Sequence, residues 1–213
     1  IGQYFHSIGS TFSTIIVRKS KTKDILTNIC CNKENIQVNM DGVKFLPTPI
    51  TPLALSIGKK FFQKDVLGFR RTTEYHTSNK SKLSEGGGIS VFHTNAQTLS
   101  TNVDHENNYK HRVVITLSGY PNAKYLHKMG CSQAVAWVEV SSKLVGDHLE
   151  KILNNKLFKY ILRTYKWSGW NSLSIIQALP SIPQELVSNQ DQYSYFDLTQ
   201  EEIDLIEKVI PDY

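Results

Sequence analysis

The chain has 213 residues, 40% of them hydrophobic, enough to bury a sizeable core as one large domain or two small ones. No apolar run approaches the roughly 20 residues a membrane-spanning helix needs, and Ile1-Gly2-Gln3 opens neither a basic n-region nor an apolar h-region, so no membrane span or signal peptide is expected. The net charge of +5 divides sharply: residues 1–180 carry 23 of the 24 Lys and Arg against 11 acids, and residues 181–213 carry 8 acids against Lys208 alone. A basic body with an acidic tail suits a polyanion binder, because neutralising phosphates supplies most non-specific affinity for nucleic acid.

Three cysteines, Cys30 and Cys31 adjacent and Cys131 remote, form neither a disulfide framework nor a C-x-x-C ligand pair, so a reducing, intracellular (cytoplasmic) setting is expected. Ile1 stands where a starting Met would, and a fragment or processed product is expected.

From Tyr4 the chain reads as a small meander: a β-rich segment at Thr11 to Val17, a polar turn at Lys19 to Lys23, and strands at Asp24 to Ile29 and Ile36 to Asn39. The apolar run Thr14 to Val17 predicts burial on both faces, within a larger sheet. Between Val43 and Pro52 three near-alternate prolines hold the chain extended, which reads as a linker into a short helix over Leu53 to Phe62. A boundary is placed there, with residues 1–46 as terminal strands plus linker and 47–213 as the main domain.

Phe69 to Lys82 is rich in Arg, Lys, Ser, Thr and Asn and nearly free of acids, the composition of a phosphate-contacting loop or of a solvated surface loop. Gly86-Gly87-Gly88 before a strand at Ile89 to His93 matches no phosphate-binding motif and reads as a hairpin tip. Residues 94–110 are polar, and His105 and His111 lack partner ligands for a metal. His111 to Pro121 gives a buried strand stopping at Ser118-Gly119, and a second strand follows at Gln133 to Val140. Between them lies a basic-aromatic loop with Tyr120, Lys124, Tyr125, His127 and Lys128, placed where binding residues usually sit on a rigid sheet.

Helical periodicity returns with Leu144, Leu149, Ile152, Leu153, Leu157, Phe158, Ile161 and Leu162 on one side, divided at Asn154-Asn155. The helix ends in Arg163, Tyr165, Lys166 and Trp167, cations and rings that suit gripping a polyanion or its bases, or else form a collar around a core helix. Thr199 with Glu202 three residues on is a capping box, followed by the apolar stripe Ile203, Ile206 and Ile210, and a terminal helix folded back on the domain is expected.

Catalytic signatures are missing. Amino-methyl transfer to adenine needs an Asn/Asp-Pro-Pro-aromatic loop, yet the chain has no Pro-Pro dipeptide and no Phe-x-Gly-x-Gly loop for a methyl donor. No Asp or Glu is followed two residues later by Lys, as a Mg²⁺ nuclease of the restriction type requires, and no G-x-S-x-G elbow occurs.

The order of features resembles the C-terminal part of N6-adenine DNA methyltransferases of the Eco57I and TaqI-like type, from restriction-modification systems of bacteria, phages and large DNA viruses. Tyr4-Phe5, Ile8 to Ser13 and the Thr14 to Val17 strand resemble the last strands of a Rossmann-like catalytic sheet. Val43 to Pro47 and the short helix resemble the crossing into a target-recognition domain. Arg112 to Gly119, Gly130 to Val135, Leu157 to Pro183 with Trp167 to Asn171, and Phe196 to Ile210 resemble its central strand, following strand, closing helix and terminal helix.

The resemblance implies an α+β fold, a mixed but mostly antiparallel sheet with packed helices, reading double-stranded DNA for a catalytic domain of the same parent chain. It places the catalytic motifs upstream of Ile1, so no catalytic, cofactor or metal residue is expected here, and S-adenosylmethionine belongs to the parent enzyme. Composition and loop placement assign phosphate contacts to Arg70, Arg71, Lys80, Lys82 and Lys166, with His76 in the same segment. Base reading is assigned to the Ser118 loop (Tyr120, Lys124, Lys128) and to Asn95 or Gln97. A stand-alone specificity subunit or interaction module, and a basic RNA-binding viral protein, are the alternatives.

Overall fold

A computed structural model describes residues 26–31, 34–72, 74–78, 83, 86–166 and 170–211. In chain order the elements are β1 (Leu26–Cys31), β2 (Glu34–Asn39), α1 (Pro52–Phe62), β3 (Arg70–Arg71), β4 (Ile89–Thr94), β5 (Gln97–Thr101), β6 (Arg112–Thr116), β7 (Ala123–Leu126), β8 (Gly130–Cys131) and β9 (Val135–Glu139). They continue with α2 (Lys143–Leu153), α3 (Lys156–Thr164), α4 (Leu173–Gln177), α5 (Asn189–Tyr195) and α6 (Gln200–Val209). The fold is α+β, with mixed and mostly antiparallel sheets. No helix among the described residues is long and apolar enough to cross a membrane. The expected strand at Thr11 to Val17 lies outside the described residues.

The strand β6 is buried along its whole length, and its alternation explains why. It is central in a four-stranded sheet of order β3-β9-β6-β7, antiparallel throughout. Val113 and Ile115, with Ala123, Ala136 and Val138 from neighbouring strands, face a helical layer built on Phe61, Leu153, Phe158 and Ile161. Val114, with Leu126, Val135 and Trp137, faces the opposite way onto Phe92 and Cys131. Those two residues belong to a three-stranded sheet, β5-β4-β8, in which β4 and β8 pair in parallel. The molecule is therefore layered as helices, sheet and second sheet, and RVVIT is apolar on both faces because both are covered.

Helix boundaries follow local chemistry. Thr51 caps α1 by accepting from the Ala54 N–H at 3.2 Å, with Pro52 at the first position, where its missing donor costs nothing. Ser142 caps α2, and the expected break at Asn154-Asn155 separates α2 from α3. The capping box closes on α6: Thr199 Oγ1 accepts from the Glu202 N–H at 3.4 Å, and Glu202 Oε2 accepts from the Thr199 N–H at 2.8 Å.

Residues 94–110, read only as polar, contain β5 and a 3₁₀ turn at Glu106–Tyr109; the Thr and Ser residues of β5 make a half-buried strand look polar. Two expectations are corrected. The loop from Tyr120 to Lys128 contains β7, so Lys124 stands within a strand. The segment Val43 to Pro52 is strapped down, with Phe45 packed edge-on to Phe62 at 4.9 Å and the Thr48 N–H donating to the Thr164 carbonyl at 2.7 Å.

Candidate nucleic-acid interface

Strand directions bring several loops to one end of the sheets. Because β6 is antiparallel to β7 and β9, its C-terminal end meets the N-terminal ends of both. The parallel β4–β8 pair delivers its C-terminal ends to the same place, where the Ser132 N–H donates to the Phe92 carbonyl at 3.0 Å. The tip of the β4–β5 hairpin is then tied to the β6–β7 loop: Asn95 Nδ2 donates to the Tyr120 carbonyl at 3.1 Å.

Around this contact the polar groups are held in place. His93 Nδ1 and Ser132 Oγ lie 2.7 Å apart, and burial lowers the pKa of the imidazole, favouring its neutral form. Gln133 and Thr77 hold each other through two hydrogen bonds, Thr77 N–H to Oε1 at 3.1 Å and Nε2 to Oγ1 at 2.6 Å. Arg71 Nε donates to the Gln133 carbonyl at 3.3 Å. Asn171 fixes the start of the loop: its N–H donates to the Leu117 carbonyl at 2.8 Å and its Nδ2 to those of Thr116 and Gly119 at 2.8 and 3.4 Å. Ser118 forms a β-bridge with Trp170, an indole that is 62% exposed. Gly119, at φ +73°, turns the chain there.

The sequence contributes a field as well as a scaffold. No acid occurs from Gly86 to Val103 or from Asn107 to Val138, so the β4–β5 and β6–β7 loops carry no carboxylate, and Glu139 stands at the opposite end of β9. The inter-sheet carboxylate Glu74 is spent on the buried Arg112 guanidinium at 3.7 Å.

The expected contact residues divide into groups. Asn95, Ser118 and Tyr120 are brought together, with Gln97 exposed at the start of β5 beside them and Arg71 joined through Gln133. His76 is exposed in the neighbouring segment, with its Nδ1 serving the Ser78 N–H at 3.2 Å. Arg70 lies on the sheet edge, its guanidinium 4.0 Å from the Trp137 ring centre and 3.3 Å from the Glu139 carboxylate. Lys124 is exposed on β7, 5.5 Å from the Phe92 ring. Lys128, in a left-handed conformation at φ +55°, follows the far end of β7 and is separated from Tyr120 by the strand, a span of about 13 Å. Lys166 is half-buried after α3, and Lys80 and Lys82 lie outside the described residues.

Sequence reasoning did not single out His93, Thr77 or Gln133. Their signal is a pairing across segments distant in sequence, which no local pattern carries. Among the described residues no group of three or more His, Cys, Asp or Glu could hold a metal ion. Burial pushes the Cys131 thiol up to about 12, so it stays protonated and unreactive. Comparison with known protein families finds no matching family model, and no curated protein matches the chain.

Proposed function

We propose that this chain reads duplex DNA in a sequence-specific manner, as the target-recognition part of a site-specific adenine-N6 DNA methyltransferase. In this reading the methyl donor and catalytic loop belong to another domain of the parent protein, and the β1–β2 hairpin is the tail of that domain's Rossmann-like sheet. The observation that carries the reading is the Asn95–Tyr120 link, which fuses a hairpin tip and a β6–β7 loop into one acid-free surface. A two-stranded hairpin fits a major groove about 12 Å wide, and Asn or Gln can pair bidentately with adenine. Asn95 spends one Nδ2 hydrogen on Tyr120 and keeps the other, with Oδ1, for such a contact, and Gln97 is exposed beside it.

Arg71 and His76 flank this surface and serve phosphates. Arg70 joins them by exchanging Glu139 for a phosphate, an exchange that costs little because an exposed ion pair contributes only about 0–1 kcal/mol. The recognition surface holds the duplex flanking a target adenine while that base leaves the stack for modification elsewhere.

Fluorescence anisotropy with labelled duplexes across a salt series tests the proposal. Submicromolar binding at low salt is expected, with affinity falling by about 0.9 log units per log unit of salt for each phosphate contacted. Arg71→Ala should weaken all duplexes alike and reduce the salt slope by about 1, whereas Gln97→Ala should erode discrimination between sites by about 1–3 kcal/mol. No binding to any duplex at low salt would sink the reading. The isolated chain should transfer no methyl group from S-adenosylmethionine to DNA, and measurable turnover would overturn the assignment of catalysis to another domain.

A further inference from the structure

The end of β4 carries one residue more than the strand it pairs with: Phe92 stands opposite Thr98 and Thr94 opposite Gln97, so His93 is the extra residue of a β-bulge. A bulge frees a side chain from the alternation of the ladder and re-aims it, and bulges gather beside functional sites for that reason. His93 is half-buried, and it joins the two groups of side chains assigned to the duplex. Asn95 follows two residues along, while Ser132, the partner of the imidazole, precedes Gln133, which holds Thr77 and Arg71.

The neighbours of this ring assign its tautomer. Ser132 is fully buried, and its Oγ accepts from the Ala134 N–H at 3.2 Å. The hydroxyl hydrogen then has His93 Nδ1, 2.7 Å away, as its acceptor among the described residues. A ring that accepts at Nδ1 and is kept neutral by burial carries its proton on Nε2. The two nitrogens lie on different edges of an imidazole, so fastening Nδ1 to a buried hydroxyl turns Nε2 away from it. Nε2 makes no hydrogen bond to any described residue and is not one of the buried polar atoms left without a partner, which leaves it open to solvent.

A neutral N–H donor of fixed tautomer suits an acceptor and repels a second donor. Guanine offers two acceptors in the major groove, O6 and N7, where adenine sets an N6 amino group beside N7 and cytosine presents an N4 amino group. We propose that His93 is a specificity-determining residue of the duplex-reading surface, donating its Nε2 hydrogen to the major-groove edge of a guanine beside the bases read by Asn95 and Gln97. The inference rests on the duplex-reading proposal. Being uncharged, His93 releases no counterion on binding, which separates its contribution from the phosphate contact of Arg71.

Selection of duplexes by the chain from a randomised pool, followed by anisotropy on the selected sequence and its single-base variants, tests the role. At one position the chain should prefer guanine over the other three bases by at least about five-fold. His93→Phe should abolish that preference while leaving the other positions and the salt slope unchanged. His93→Gln, which keeps a polar side chain against Ser132, should remove the preference or move it to adenine, whose N6 and N7 an amide pairs with bidentately. Circular dichroism checks both variants, and His93→Gln decides alone where the phenyl ring unfolds the chain. A selected site in which no position demands guanine, or a guanine preference that survives substitution in a folded variant, overturns the role of His93 and leaves duplex reading standing. So does a loss that is uniform over all sequences and lowers the salt slope, the mark of a phosphate contact. Absence of binding to any duplex at low salt overturns both.

Discussion

Gly58 and Tyr165 form the tightest approach in the helical layer. A Cβ on Gly58 would stand 1.8 Å from Tyr165 Oη and 2.7 Å from Cζ, so α1 can lie this close to the end of α3 only with glycine at that position. Gly58→Ala should destabilise the fold by about 1–3 kcal/mol in a urea titration, and Tyr165→Phe should recover part of the loss in the double variant. Glu202 is a residue of equal weight. Burial opposes its charge, but hydrogen bonds from Lys60, Ser56 and the Thr199 backbone outweigh burial and hold its pKa below the ordinary 4.5. A depressed carboxylate contributes stability that is full above about pH 4.5 and is lost as the pH falls through the lower folded value. Glu202→Gln should therefore destabilise the protein at neutral pH and flatten its acid-induced decline, as followed by unfolding midpoints between pH 6 and about pH 3. None of this is visible in sequence, where Gly58 is an unremarked residue of a helix and Glu202 is legible only as half of a capping box.

At the scale of elements, β7 shows why one strand escaped reading. Its sequence, Ala123-Lys-Tyr-Leu126, alternates but is short and lies at the sheet edge, so half of its polar backbone has no strand beside it. Helix α2 supplies the missing partners: Asn154 Oδ1 accepts from the Ala123 N–H at 3.0 Å and its Nδ2 donates to the Ala123 carbonyl at 3.0 Å, while a Glu150 oxygen accepts from the Tyr125 N–H at 2.6 Å. These side chains occupy edge groups that would otherwise template pairing with another chain. Asn154→Ala should cost about 1–3 kcal/mol of stability and increase self-association, measurable by denaturation and by light scattering. Asn154 was legible as a helix divider; its second task on β7 depends on α2 returning over the sheet, a long-range outcome.

At the scale of the whole molecule, the charge division has an internal explanation in part. Lys60 pairs with Glu202 at 2.7 Å, Lys156 pairs with Glu207, and Tyr193 donates to Glu207 at 2.7 Å, so the acidic C-terminal segment docks on lysines of α1 and α3. The +5 chain thus neutralises part of its own basic body on the helical side, while no acid occurs from Gly86 to Val103 or from Asn107 to Val138, the stretches that carry the β4–β5 and β6–β7 loops. Lys60→Ala should accordingly destabilise the fold through Glu202 yet leave duplex affinity within about two-fold, since Lys60 is already paired with Glu202 and the Asp197 carbonyl rather than with the residues assigned to the duplex. Unfolding midpoints and anisotropy on the same variant separate the two effects.

By itself the sequence determined the elements whose signals are local: the double-faced strand Arg112–Thr116, the helix pair divided at Asn154-Asn155, the capped terminal helix, and the absence of the catalytic motifs that were sought. Those follow from side-chain periodicity and from caps, which act over a few residues. Tertiary structure alone decided which of the candidate side chains share a surface. Asn95 meets Tyr120, Arg71 meets Gln133 and Asn171 meets Gly119 because antiparallel and parallel pairings bring strand ends together, and Lys128 is carried away by the length of β7. Pairing is set by burial on two faces of one sheet, a property of the folded whole that no window of the chain contains.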